Sequence, residues 1–305
     1  MLIQSKLKHM TDPLVSICIP TYNGASYLQE ALDSVTAQTY KNIEVIISDD
    51  QSEDATLEIL ERFRESVDIP VQIYHHNPSG IGANWNHTVE KANGAYIKFL
   101  FQDDILKEDC VEQMLRMALL DPEVVLVYSR RDFIYNPDNT EHLLWLSRYE
   151  NLHNDWEGIS ITGDLIIPGV RLLKNRTLLK QPVNKIGEPS ATLMKKSTMM
   201  KMGLFDQELK QVLDIAYWYR IMNYGKLAFI DEALVTFRLH EKQATAVNSR
   251  NSIDELFLLE KSLGKHLFWR LHPANRKDIL YRHYYVGKLW KGMKNMFNKK
   301  DQKHS

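Results

Sequence analysis

The chain has 305 residues, 44% hydrophobic and 25% charged, which is enough for a sizeable core in one large domain or two ordinary ones. A formal net charge of -1 excludes a wholesale nucleic-acid binder, and no apolar run approaches the ~18 residues that span a bilayer. The start, MLIQSKLKHMTDP, has no apolar signal region, and Cys18 and Cys110 have no metal-ligand spacing; buried free thiols in a reducing cytoplasm are expected.

In chain order, LVSICIP (14–20) reads as a short buried strand, and ASYLQEALDSVTAQ (25–38) places Leu28, Leu32 and Val35 at helical spacing. NIEVIIS (42–48) is a second strand and EDATLEILERFRES (53–66) a second helix. VQIYHH is a third strand, followed by GANWNHTVEKANG (82–94), a helix that Gly94 can close. YIKFLFQDDIL (96–106) is a fourth strand, KEDCVEQMLRMALL the next helix, and EVVLVYS (123–129) a further strand. This alternation predicts an α/β fold, a mostly parallel sheet flanked by helices. Between 132 and 186 no period is sustained, and irregular surface or substrate-facing loops are expected. Regularity returns over 190–203, 211–225 and 227–240, and from Ser252 the chain reads as helices running into a lysine-rich end.

Three strand ends are unusually polar: Pro20-Thr21-Tyr22-Asn23-Gly24, Ser48-Asp49-Asp50-Gln51-Ser52 and Gln102-Asp103-Asp104. In a parallel sheet they share one edge, the edge where ligands bind. Adjacent acids repel and are costly to desolvate, so Asp103 and Asp104 call for a metal, a basic side chain or water. The pair alone could cap the following helix, and Asp50 or Ser52 could start the helix after the second strand. Two acidic tips on one edge favour a divalent-cation and phosphate site, for which hard carboxylate oxygens suit Mg²⁺ or Mn²⁺.

The segments VSICIPTYNGASYLQEALDSVTAQTYKNIEVIISDDQSEDAT and GIGANWNHTVEKANGAYIKFLFQDDIL resemble family 2 glycosyltransferases of the GT-A, nucleotide-diphosphosugar transferase fold. The resemblance is close over about 14–130 and looser to about 245. It implies a GT-A domain over 1–250, with a nucleotide half to about 130 and an acceptor half beyond, and a helical extension over 251–305. It also implies an inverting, metal-dependent transfer from a nucleotide-diphosphosugar, a UDP-sugar by expectation, to a hydroxyl acceptor. By this resemblance Pro20, Thr21, Tyr22 and Asn23 hold the base, with Tyr22 placed to stack on it, and Asp50, more firmly than Asp49, bonds it. Asp103 then faces the ribose and Asp104 the metal, although Gln102 or Phe101 replaces the first acid of the literal D-x-D pattern.

Inverting transfer needs a base for the acceptor hydroxyl. In QVLDIAYWYRI, Asp214 precedes an aromatic helix much as the family's base does, with Leu213 where an acid often stands; the alternative reading is a helix start. Glu188 in IGEPSATLM is the second candidate. Arg238-x-His240 resembles the element returning to the diphosphate, which implies phosphate contact for Arg238 and metal ligation for His240. The last segment, YRHYYVGKLWKGMKNMFNKK, reads as a weakly amphipathic basic helix, either packed on the domain or resting on an anionic membrane. The expected partners are a nucleotide-sugar donor and a carbohydrate or lipid-linked acceptor, with a cytoplasmic location, peripheral to the membrane if the tail docks there. The expected setting is surface polysaccharide or glycolipid assembly. A degenerate relative that only binds nucleotide or scaffolds a complex is the alternative.

Overall fold

The computed structural model describes residues 12–241, 243 and 255–283. The first half is a regular alternation: β1 (Val15–Thr21), α1 (Leu28–Thr36), β2 (Ile43–Asp49), α2 (Thr56–Ser66), β3 (Val71–His75), α3 (Ile81–Lys91) and β4 (Tyr96–Phe99). The two-residue β5 (Ile105–Leu106), α4 (Cys110–Leu119) and β6 (Val124–Ile134) follow. The second half holds α5 (Thr140–Tyr149), β7 (Leu165–Pro168), α6 (Gly169–Leu173), β8 (Thr192–Lys195), α7 (Lys196–Met202), α8 (Leu213–Ile221) and β9 (Lys226–Arg238). Helices α9 (Leu256–His266) and α10 (Pro273–His283) form the C-terminal part.

One sheet of nine strands runs through the molecule in the order β3-β2-β1-β4-β8-β6-β9-β5, with β7 added against β9. The pairs among β1 to β4 are parallel, as is β6 with β9. β8 is antiparallel to both of its neighbours, and β9 also takes β5 and β7 antiparallel. The strands β1 and β2 are buried along their whole length because helices cover both faces, which is why they read as near-continuous apolar runs. Alternation sends Val15, Ile17 and Ile19 into one core with α1 and α4, and Cys18 into the other with α3, α8, α9 and α10. Gly94 is required where the chain enters β4, since a Cβ there would sit 2.6 Å from the Ser16 amide nitrogen.

The stretch expected to be irregular is more ordered than its pattern implied. β6 continues to Ile134, and α5, β7 and α6 follow. α5 buries none of its residues and is started instead by Asn139, whose side chain accepts from the Glu141 and His142 amides. A helix held by its cap rather than by a core face leaves no apolar stripe to read. β7 has only four residues, too few to establish a period.

Candidate active site

The parallel register carries β1, β2 and β4 to a common edge, pairing Thr21 with Asp49 and Cys18 with Phe99. There the Thr21 hydroxyl donates to Asp49 Oδ1 at 2.8 Å, and Asp49 also accepts from the Ser52 amide at 2.8 Å and hydroxyl at 2.6 Å. Asp49 is fully buried, and its oxygens are spent on the turn into α2. Asp50 differs. Its carboxylate lies 2.5 Å from His76 Nδ1, and desolvation raises its pKa against the opposing pull of that imidazole. His76 in turn lies against His87, whose own Nδ1 meets the Ser48 hydroxyl at 2.8 Å.

Tyr22 projects from the same turn with 57% of its surface exposed, in position to offer a ring face to a planar ligand. Its backbone is gripped by Gln102, which accepts from the Tyr22 N–H at 2.9 Å and donates to the Tyr22 carbonyl at 3.0 Å. An acid could not make that two-way bond while ionised, which gives neutral Gln102 a physical reason to stand before the acidic pair. Asn23 adopts φ 47°, a left-handed conformation that Asn tolerates, and its side chain accepts from the Glu53 amide. Pro20 is the penultimate residue of β1 and sets the start of this turn.

The two adjacent acids face opposite ways. Asp103 Oδ2 lies 2.9 Å from His240 Nε2, and both side chains keep partial exposure. Asp104 is 1% exposed and spends its oxygens internally, on the Ser190 hydroxyl and on the Arg238 amide at 3.3 Å. Burial, then the Asp103 charge, pushes its pKa well above the carboxylate range. Two basic side chains lie nearby, each bonded to backbone carbonyls. Lys98, wholly buried on β4, donates to the Ser190 carbonyl and to the Phe99 carbonyl at 3.3 Å; burial lowers its pKa, against the opposing pull of Cys110 and Asp104. Arg238 lies across the front, donating to the Asp103 carbonyl at 3.1 Å and to Glu30 at 2.7 Å, 4.5 Å above the Tyr27 ring. Its guanidinium is therefore already clamped at the position where phosphate contact was expected.

The acceptor-side candidates meet a short way along the same edge. Asp214 stands in the first turn of α8, where its carboxylate accepts from Asn184 Nδ2 at 3.0 Å and from the Ile215 amide at 2.8 Å. Desolvation and the nearby Glu188 charge raise its pKa to about 7. Glu188 instead forms an ion pair with the buried Arg131, which also donates to the Tyr149 carbonyl. Two carboxylates thus have divergent environments, one poised to take a proton near neutral pH and one held by a fixed cation. Glu188 also bridges the halves of the site, because its charge acts on Asp104 and Asp214 alike.

Among the described residues no group of three or more His, Cys, Asp or Glu side chains is arranged to hold a metal. Asp103 and His240 supply one oxygen and one nitrogen on a shared, partly exposed face. That set fits Mg²⁺ or Mn²⁺ of the kind completed by substrate phosphates and water, which one or two protein ligands suffice to hold. Asp104, expected to be the metal ligand, is turned inward. Sequence reasoning did not find His76, Lys98, Arg131 or Ser190. Only Lys98 left a trace, as a cation inside an otherwise apolar strand.

A mixed sheet with acids gathered at the strand ends places the molecule among GT-A transferases, and comparison with known proteins agrees. The model of "Glycosyl transferase family 2" matches residues 16–168, and the chain belongs to that family. An uncharacterised glycosyltransferase of Rickettsia typhi is 31% identical over 249 residues, covering 81% of this chain and 71% of that protein. Chondroitin synthase of Pasteurella multocida is 39% identical over 128 residues, covering 42% of this chain but 13% of that protein. Among solved structures, S. aureus TarS in complex with UDP-GlcNAc superposes with a TM-score of 0.61 at 18% identity, covering 89% of this chain and 74% of that one. A Pyrobaculum calidifontis mannosyltransferase in complex with GDP-Man and Mn²⁺ gives 0.52 at 18% identity, covering 93% and 74%. The protein is a glycosyltransferase with a GT-A fold. On the described residues, no helix is long and apolar enough to cross a membrane.

Proposed function

We propose that the protein transfers a sugar, with inversion, from a nucleotide-diphosphosugar to a hydroxyl of a carbohydrate or lipid-linked acceptor. The observation that carries the reading is the enclosed Asp214, raised to about 7 while the neighbouring Glu188 is tied to Arg131. Asp214 takes the proton of the acceptor hydroxyl as the new bond forms at the anomeric carbon, and the bond to the diphosphate breaks on the opposite face. Tyr22 and Asp50 hold the base, with Asp50 oriented by His76. Asp103 and His240 would hold a divalent cation with the diphosphate, and Asp104 shapes their turn from within. When bound, that ion supplies Lewis-acid neutralisation of the charge developing on the leaving group. Mn²⁺ and a uridine donor accord with the ions and nucleotides named for the structural neighbours. The division into a donor half to about residue 130 and an acceptor half beyond it belongs to this proposal.

The basic C-terminal run lies outside the described residues. In sequence, Lys and Arg outnumber Asp and Glu over 255–305, and the reverse holds before it. That division supports docking on an anionic inner membrane face, the setting proposed for surface polysaccharide or glycolipid assembly. Failure to co-sediment with phosphatidylglycerol vesicles at low salt would remove that part. For the site itself, the test is thermal-shift binding against UDP, GDP, dTDP and their sugars, with and without Mn²⁺, on wild type and Asp103→Ala. Metal-dependent stabilisation by one nucleotide, lost in the variant, is expected. No shift with any nucleotide refutes the donor site.

A further inference from the structure

The turn that leads into α8, just ahead of Asp214, is held by a residue from far along the chain. Glu255, immediately before α9, is 3% exposed. Its carboxylate faces three consecutive backbone amides. The Lys210 N–H donates to its two oxygens at 2.8 and 3.0 Å, the Gln211 N–H at 2.6 Å and the Val212 N–H at 3.1 Å. Val212 is the N-cap of α8 and offers no side-chain cap, and Asp214 follows two residues later. Glu255 therefore supplies from a distance what a capping residue supplies locally, an acceptor for converging amides and a negative charge at the positive end of the helix. Enclosing a carboxylate is costly, and this one is offset by hydrogen bonds that no solvent competes for. It is also fixed in place, because Leu259 and Leu263 of α9 lie in the same core as Leu213, Ile215 and Trp218 of α8.

We propose that Glu255 is a positioning residue for Asp214: through this one carboxylate the C-terminal helices fix the first turn of α8 where the base meets the acceptor hydroxyl. The proposal rests on the assignment of Asp214 as base. Glu255 touches no reacting atom and acts only by holding the 210–212 turn. Asp214 is itself aimed by Asn184 and by the Ile215 amide, so a shift of the turn moves the carboxylate off a geometry its own bonds are set to keep. A displacement of ~1 Å at a reacting group costs about 100-fold in rate.

The test uses the full chain as wild type, Glu255→Gln, Glu255→Asp and Asp214→Asn, assayed well below each melting temperature. Nucleoside diphosphate release is measured from whichever UDP-, GDP- or dTDP-sugar the wild type turns over, together with the thermal shift given by the nucleotide alone. Glu255→Gln is expected to lower kcat about tenfold or more, with donor KM within about twofold and the nucleotide shift retained. Glu255→Asp keeps the charge but withdraws it by one methylene, and is expected to give an intermediate kcat at the same KM. If Glu255→Gln does not fold, Glu255→Asp decides. Wild-type kcat in the folded variants overturns the proposal, as does a loss of nucleotide binding in step with kcat, which marks general damage. Undiminished activity in Asp214→Asn refutes the base assignment, and the positioning role with it. A collapse in Asp214→Asn alone, with Glu255→Gln active, refutes only the positioning role.

Discussion

The enclosed Asp214 makes a claim that needs no knowledge of donor or acceptor. Its pKa rises from 3.8 to about 7, chiefly because burial disfavours the charged form. Between those two values the folded protein holds a proton that the unfolded chain has released. Stability is therefore greatest below about pH 4 as far as this group is concerned, and declines as pH rises through about 7. Three pKa units correspond to about 4 kcal/mol at most. About two of these units fall between pH 5 and pH 8, and because Asp214 retains partial exposure as a residue we expect about half of their value, ~1.3 kcal/mol, across that range. Asp214→Asn removes the titration and keeps the shape. The assay is urea denaturation of wild type and Asp214→Asn at pH 5, 6, 7 and 8. The difference should favour the variant increasingly as pH rises, flattening above about pH 8. A difference that does not change with pH would refute the enclosure of this carboxyl. The same titration governs rate: at pH 6 about a tenth of Asp214 is ionised, so kcat should rise about tenfold per pH unit below pH 6 and about fivefold from pH 6 to pH 7 if it is the base.

Four further outcomes follow from the acidic edge. Asp104→Ala should destabilise by ~1–3 kcal/mol, read by denaturant midpoint, because it strands the Ser190 hydroxyl and the Arg238 amide. By contrast His240→Ala should leave the midpoint nearly unchanged, since its partner Asp103 is partly exposed, and should remove the extra stabilisation that Mn²⁺ gives to bound nucleoside diphosphate. Gln102→Ala should weaken nucleotide binding by ~1–2 kcal/mol in a thermal-shift titration, through loss of both bonds that hold the Tyr22 backbone. Gly24→Ala should weaken it for the same reason, because its Cβ would fall 2.3 Å from Gln102 Oε1.

The first half of the fold was legible because its causes are local. β1 and β2 are buried on both faces and therefore apolar throughout, and α1 buries Leu28, Ala31, Leu32 and Val35 at the spacing a helix imposes. Acids at the ends of such strands can be read as one edge, since parallel pairing leaves no other arrangement. α5 was not legible, because a surface helix started by Asn139 shows no stripe. The partners within the site were not legible for a different reason. His76 meets Asp50 across 26 positions, Arg131 meets Glu188 across 57, and Ser190 meets Asp104 across 86; no local pattern encodes such pairings. Glu255 is a further case, a single acid at the head of an ordinary-looking helix that meets its amides across 43 to 45 positions.

Adjacent acids at a strand tip seem redundant until their environments are separated. Asp103 and Asp104 lie in the turn between β4 and β5 with separate partners, His240 for one and Ser190 for the other, so they need not compete for one ligand. Asp104 accepts from the Ser190 hydroxyl, and the carbonyl of the same Ser190 accepts from Lys98, the buried cation of β4. Asp103 points out toward His240, and Arg238 ties the two turns by donating from its side chain to the Asp103 carbonyl and from its backbone to Asp104. The inner acid is spent on Ser190 and the Arg238 amide and holds the turn, so the outer acid stays available to a ligand. Replacing Lys98 by an apolar residue would take from the Ser190 carbonyl its donor and loosen the residue whose hydroxyl holds Asp104. The turn from which Asp103 projects would shift with it. On this argument the paired carboxylates are one device, and its outward half is set by a lysine that no ligand touches.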